Sequence, residues 1–312
     1  MTMPVSSGGV SGTCEPMAVV SSVAMSRLVM GSTVVRSDCG ITMSLMICTN
    51  ESPMERAASI CPTPMALMPL MKFSEANDDT TKITPETFEE LLYQAFDTQR
   101  EHDSVIICKS NKRANLFNQA IRSRILNIEG EIATGDLLMV VKNNYYWADG
   151  NKEIRFIANG DLAEIKKIVR YEEMYGFRFA DVMLSFPDYP EAPAFDVKIL
   201  LDTLNSNSAS LTEEESMKLR LAIEEDYMDI PNRRERYKEM RKNPWFNALQ
   251  VKFAYALTCH KTQGGQWREV FVDSSMNQKD ELEKEDIRWL YTALTRAQER
   301  LYFVNFKEEF FG

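Results

Sequence analysis

The chain is poor in histidine. Its 312 residues include two, His102 and His260, too few for a histidine-built metal centre. No apolar run approaches the roughly 20 residues of a membrane-spanning helix, so no membrane partner is expected. Six cysteines fall at irregular spacing without a Cys-x-x-Cys pair. That pattern argues against a disulfide framework and fits reduced thiols in a cytoplasmic protein. Basic residues are outnumbered, 36 to 46, for a formal charge of −10. Broad basic wrapping of nucleic acid is thereby excluded, and any such contact must be local. The length has room for two domains of ordinary size, and hydrophobic residues, at 44%, are enough to give them real cores.

The first 72 residues lack still more. They contain no Phe, Trp, Tyr, His or Gln, while all 31 aromatics follow them. They carry 8 charged residues but 11 of the 18 Met and 4 of the 6 Cys. A signal peptide does not fit, because the basic n-region is missing. Residues 1–72 read as an atypical leader, either poorly ordered or not native to the fold, as a shifted frame or misassigned start would produce.

From residue 73 the composition is that of a folded protein. Thr84-Pro85 marks a helix start, and Phe88, Leu91, Leu92, Ala95 and Phe96 give it an apolar face. Residues 104–108, SVIIC, read as a buried strand. The polar loop KSNKR follows, then a helix striped by Ala114, Phe117, Ile121 and Ile125. Strand, basic loop and helix form a phosphate-approach geometry. After Gly130 short strands are expected at 135–143, 162–169, 179–186 and 195–201, with a tight-turn signal at Asn159-Gly160. Such punctuation implies a small barrel. Tyr146 and Trp147, in a loop of this region, are candidates for stacking on bases. Residues 206–210 are a polar linker. An acidic helix from Thr212 and a basic one over 232–242 follow, and the basic run reads as phosphate contacts or as a solvated face paired with the acidic helix.

Residues 253–304 are the most informative. They begin FAYALTCHKTQGGQWREVFVD and end WLYTALTRAQERLYFV. Residues 253–257 and 270–272 have strand composition, and between them lie polar side chains and two glycines, as a phosphate-facing loop requires. Leu290, Leu294 and Ala297 keep helical spacing, with Thr295 and Arg296 on the same turn, and 301–304 is a further strand.

These two stretches resemble motifs V and VI of superfamily 1 helicases. The likeness is to RecD-like members of the 1B branch, which move 5′ to 3′ on DNA. The resemblance implies an α/β fold: a RecA-like domain of the P-loop NTPase type, with an inserted SH3-like barrel and a helical segment. The implied division is 73–128 and 247–312 for the RecA-like domain, 129–205 for the barrel and 206–246 for the helical segment. Arg296 then stands at the arginine finger, near a helix start, where a guanidinium stabilises charge on the transferred phosphoryl group by about 10³–10⁵ in rate. Arg113, Gly264, Gly265 and Gln266 complete that wall of an ATP–Mg²⁺ cleft. The family often has Glu where Gln266 stands, accepting a ribose hydrogen bond. Asn111, Lys112, Thr258, His260, Lys261 and Gln263 are implied on single-stranded DNA. The family's Gly-x-x-x-x-Gly-Lys-Ser/Thr loop is not found in the 312 residues. The resemblance therefore implies the C-terminal part of a helicase, inactive toward ATP by itself. The alternatives are a non-catalytic single-strand-binding module or a subunit whose separate partner carries the phosphate loop.

Overall fold

A computed structural model describes residues 32–36, 42–46, 80–83, 85–96, 103–149, 153–274 and 283–307. Within the expected leader, β1 (Ser32–Arg36) and β2 (Thr42–Met46) pair antiparallel. The rest of that stretch, and the expected cap Thr84, lie outside the described residues.

The main sheet is parallel. Its strands are β3 (Thr80–Lys82), β4 (Ser104–Cys108), β10 (Ala256–Thr258), β11 (Trp267–Asp273) and β12 (Ala297–Val304). Across the sheet they lie in the order β10-β4-β11-β12-β3. β4 is apolar over most of its length, and β11 is apolar over 270–272, as strands covered on both faces must be. Along β11 the side chains alternate. Phe271 meets Phe88 and Phe96 of α1 (Pro85–Phe96), leaving Val270 and Val272 for the opposite face. α1 and α2 (Asn111–Ala120) share the first face, where Phe88 meets Phe117; for right-handed crossovers, the rule between parallel strands, this strand order expects α5 (Lys284–Leu294) on the second. Ser110 caps α2 by accepting the Arg113 N–H at 3.2 Å. A π-helical turn, Ile121–Ile125, extends α2.

The second unit is a closed five-stranded barrel of β5 (Leu137–Val140), β6 (Leu162–Met174), β7 (Phe177–Ser185), β8 (Phe195–Leu200) and β9 (Leu249–Phe253). Four strands fall within or close to the runs that the turn punctuation marks. The fifth corrects the sequence reading: 253–257 is not one strand. β9 closes the barrel, the chain turns at Ala254 and Tyr255, and β10 enters the parallel sheet. The turn is held from outside. The Asn118 side-chain amide donates to the Phe253 and Ala256 carbonyls (3.2 and 2.9 Å) and accepts the Ala256 N–H (2.7 Å).

Two four-residue turns repeat in the barrel, Ala133-Thr134-Gly135-Asp136 and Ala158-Asn159-Gly160-Asp161. In each, glycine is third with positive φ (+89° and +108°), as a type II turn requires, and the aspartate accepts the alanine N–H at 2.7 Å. Asp136 is fully buried and also forms a bidentate ion pair with Arg122 of the π-helical turn (2.8 and 2.9 Å). This pair ties the barrel to the parallel-sheet unit.

Between β8 and β9 lie α3 (Glu213–Glu225) and α4 (Arg233–Met240). Thr212 and Glu215 form a reciprocal capping box at the start of α3. Leu219, Ile223 and Met240 pack with Phe177, Phe179 and Leu200 in a small core against the β6–β7 hairpin. No helix among the described residues is long and apolar enough to cross a membrane.

Candidate functional site

The loops of a parallel sheet leave from two opposite edges, and the candidate residues divide between them. At the edge where β11 and β12 begin lie Gly264, Gly265, Gln266 and Arg296. Arg296 is not at a helix start. α5 ends at Leu294, and Thr295 and Arg296 form the turn into β12. Ala297 likewise leaves the helix, because it pairs with Trp267 of β11. A cation just past a helix C-terminus sits against unpaired carbonyls. The Arg296 guanidinium donates to the Thr292 carbonyl (3.1 Å), the Thr295 hydroxyl (3.1 Å) and the Gly265 carbonyl (3.3 Å). The last bond joins the two motif stretches.

The glycines serve different ends. Gly264 has φ +89° and open space where a Cβ would stand. At Gly265 a Cβ would come within 2.5 Å of the Trp267 ring, and its N–H is already donated to the Thr262 carbonyl (3.1 Å). Gly265 is thus a close-packing residue, and Gly264 is the position that leaves the backbone open to an approaching group. Gln266 is exposed and its side-chain oxygen accepts from Gln298 at 3.2 Å.

At the other edge, where β4, β10 and β11 end, stand Asn111, exposed Lys112, Arg113 and half-buried Thr258. Arg113 makes a bidentate ion pair with Asp273 (2.8 and 3.1 Å) and lies 4.7 Å over the Phe117 ring. That bond holds the Arg113 pKa above its ordinary value. Asp273 is fully buried, so it needs a partner. Asn305 also donates to it, at 2.7 Å. Lys109 pairs with Asp286 beside this group. The seven residues of β11, about 20 Å, separate Arg113 from Arg296. The expected wall of Arg113, the 264–266 loop and Arg296 is therefore not one surface.

His260 and Lys261 lie in a one-turn 3₁₀ helix, Cys259–Thr262, that leads from β10 back to the loop. His260 is exposed. Burial pulls the Lys261 pKa down to about 8, and its ammonium reaches the Ala209 carbonyl at 3.5 Å. Lys252 beneath it is likewise held to about 8, by burial and by Lys261, and donates to the Thr203 and Ser206 carbonyls (2.9 and 2.6 Å). Lys261 and residues 263–267 form one wall of a groove of about 1390 Å³. The barrel turns form the other, with Asp161, Glu164 and Asp188. Cations reach this groove from both sides, Lys261 on the loop and Lys166, paired with Glu164 at 2.6 Å, on the barrel.

Tyr146 and Trp147 are half-buried and meet edge to face at 4.9 Å. The Tyr146 hydroxyl donates to the Lys242 carbonyl (3.1 Å) and the Trp147 indole to the Asn247 carbonyl (2.8 Å). They fasten the barrel loop to the helical segment. The open ring faces nearby belong to Tyr145 and Phe156, stacked at 5.4 Å and 64% and 40% exposed. Nothing in the local pattern marked Phe156, because its partner lies across a bridge between Asn144 and Ile157.

No curated protein sequence matches the chain. Among solved structures, a Pif1 helicase from Candida albicans aligns at 13% identity over 73% of this chain and 51% of its own, with a TM-score of 0.34. A Bacteroides Pif1 helicase in complex with ADP-AlF3 and ssDNA aligns at 12% identity over 74% and 48%, with a TM-score of 0.35. The chain spans about half the length of these proteins. The family model that matches covers residues 253–304, the span of the two motif stretches. Over that span the chain is similar to the UvrD-like helicase C-terminal domain.

Proposed function

We propose that this chain is the C-terminal part of an ATP-dependent DNA helicase of superfamily 1B, moving 5′ to 3′. The observation that carries this reading is the Arg296–Gly265 bond, which sets a guanidinium beside the open backbone of Gly264. ATP with Mg²⁺ would supply the transferable phosphoryl group and its counter-charge. Arg296 would swing from its carbonyls onto the developing negative charge, and Gly264 would admit a phosphate to the backbone. The phosphate-binding loop would come from a further RecA-like domain or a separate chain. Among the described residues no group of three or more His, Cys, Asp or Glu is placed to hold a metal ion.

Single-stranded DNA is assigned to Lys261, His260, Gln263 and Thr258, with Asn111 and Lys112 at the β4 end and the barrel alongside. The barrel is read as SH3-like and the protein as cytoplasmic. Without the other wall the chain acts as a single-strand-binding module, which is the second reading.

Lys261 tests the assignment. A lysine held to about 8 is charged at pH 7 and loses its proton as pH rises past 8. Phosphate affinity contributed by Lys261 is then present at low pH and lost at high pH. Affinity for an oligothymidylate should fall severalfold between pH 7 and pH 9, and Lys261→Met should be weaker at pH 7 and fall much less across this range, keeping only the smaller change that Lys252 beneath it contributes. A wild-type profile as shallow as that of the variant would remove Lys261 from the track.

A further inference from the structure

The basic helix α4 carries an observation that the motif residues do not use. At 3.6 residues per turn, Arg233, Tyr237, Arg241, Arg234 and Lys238 fall within one arc of about 140°. Arg241 is the C-cap of the helix. No carboxylate of α4 enters that arc. Glu235 and Glu239 lie outside it, and Glu239 is held by Lys242 at 2.8 Å.

A basic helix following an acidic one is ordinarily a solvated face whose cations pair with its neighbour. Here only Arg236 does so, reaching Glu224 at 3.1 Å and the Ile230 carbonyl at 3.3 Å. Arg233, Arg234, Lys238 and Arg241 are exposed and form no ion pair among the described residues. Arg220 of α3 adds a fifth cation, 5.6 Å over the Tyr237 ring. This is a concentrated positive face on a chain of net charge −10. Exposed like charges repel one another, and a polyanion relieves that repulsion.

Aromatic faces accompany the cations. Tyr237 is 43% exposed within the arc. The Tyr146–Lys242 and Trp147–Asn247 bonds fasten the loop that carries Tyr145, and through its stack Phe156, to residues 242 and 247, just past the Arg241 cap of α4. Cations beside open ring faces suit a single strand, whose bases are free to stack; a duplex offers only its backbone.

We infer that the α4 face, with Arg220 and the Tyr145–Phe156 stack, is a second binding site for a single-stranded nucleic acid. It engages the phosphate backbone through Arg233, Arg234, Lys238 and Arg241. The inference rests on the nucleic-acid reading above but uses none of its residues.

The test is fluorescence anisotropy of a labelled oligothymidylate bound to the chain over a range of salt concentrations. The comparison is a variant carrying Arg233→Gln, Arg234→Gln, Lys238→Gln and Arg241→Gln. All four side chains are exposed, so the fold should persist, which circular dichroism checks. Each phosphate contact contributes about 0.7 to the slope of log K against log salt for a single strand. The variant should therefore lose about 2–3 from that slope, and at least about tenfold in affinity at low salt. Tyr145→Ala should weaken binding severalfold and leave the slope unchanged. An unchanged slope and affinity in the fourfold variant, while Lys261→Met still weakens binding, would overturn this inference alone. A loss confined to a duplex probe would overturn the single-strand assignment. No binding by the wild-type chain would overturn both this inference and the DNA track.

Discussion

Asp136→Ala should cost about 3–5 kcal/mol of stability, the upper end of what a single substitution does. The carboxylate is fully buried and meets four donors. Arg122 supplies two through its ion pair, the Ala133 N–H a third at 2.7 Å, and the Tyr255 hydroxyl a fourth at 3.1 Å. Removing it strands a guanidinium that is itself 7% exposed and 4.2 Å over the Phe253 ring. That charge keeps only the Gly130 carbonyl, at 2.9 Å. The Tyr255 hydroxyl also accepts the Leu137 N–H (3.2 Å), so the loss reaches the first barrel strand. Urea denaturation followed by tryptophan fluorescence measures the change. The double variant Arg122→Met with Asp136→Leu should recover part of it, because apolar groups remove the stranded charge. A loss below about 1 kcal/mol in Asp136→Ala would mean that water reaches the pair.

The second large effect concerns rate. In an assembly where a phosphate-binding domain completes the cleft, Arg296→Ala should lower the turnover of ATP by about 10³-fold or more. Single-strand affinity should change far less than turnover, because Lys112 and Thr258 stand at the opposite edge of the sheet and only Gln263 and Lys261 share the loop that Arg296 holds through Gly265. Arg296→Lys should restore only a small part, because an ammonium lacks the planar fork that spans two phosphate oxygens. A drop below about tenfold would assign Arg296 to its present bonds alone, as a cap on α5.

Much of the architecture is legible in the sequence because its signals are local. Residues 104–108 are a continuous apolar run between polar breaks, and β4 occupies that run. The acidic start of α3 and its Thr212 cap are written in adjacent residues. The misreadings share a cause: the deciding partner is far away in the chain. Residues 253–257 are uniformly apolar, and only Asn118, on α2, divides them between two sheets. The helical period runs on through Ala297, but pairing with Trp267 takes that residue into β12. Arg113 follows a strand as a nucleotide ligand would, yet Asp273, 160 residues on, captures it. The paired glycines look alike in sequence and differ because one lies under the Trp267 ring. The Arg122–Asp136 pair has little signature in the sequence because neither residue sits in a motif stretch, although the repeated Gly-Asp turn marks one half of it.

On the proposed reading, this chain carries a single-strand track and the arginine wall of an ATP cleft, with the phosphate cradle supplied from elsewhere. ATP hydrolysis by the purified chain, with and without single-stranded DNA and alongside DNA binding, tests this most directly. The predicted result is salt-sensitive DNA binding without hydrolysis above background. DNA-stimulated hydrolysis that disappears in Arg296→Ala would contradict it, by placing a complete phosphate site within these 312 residues.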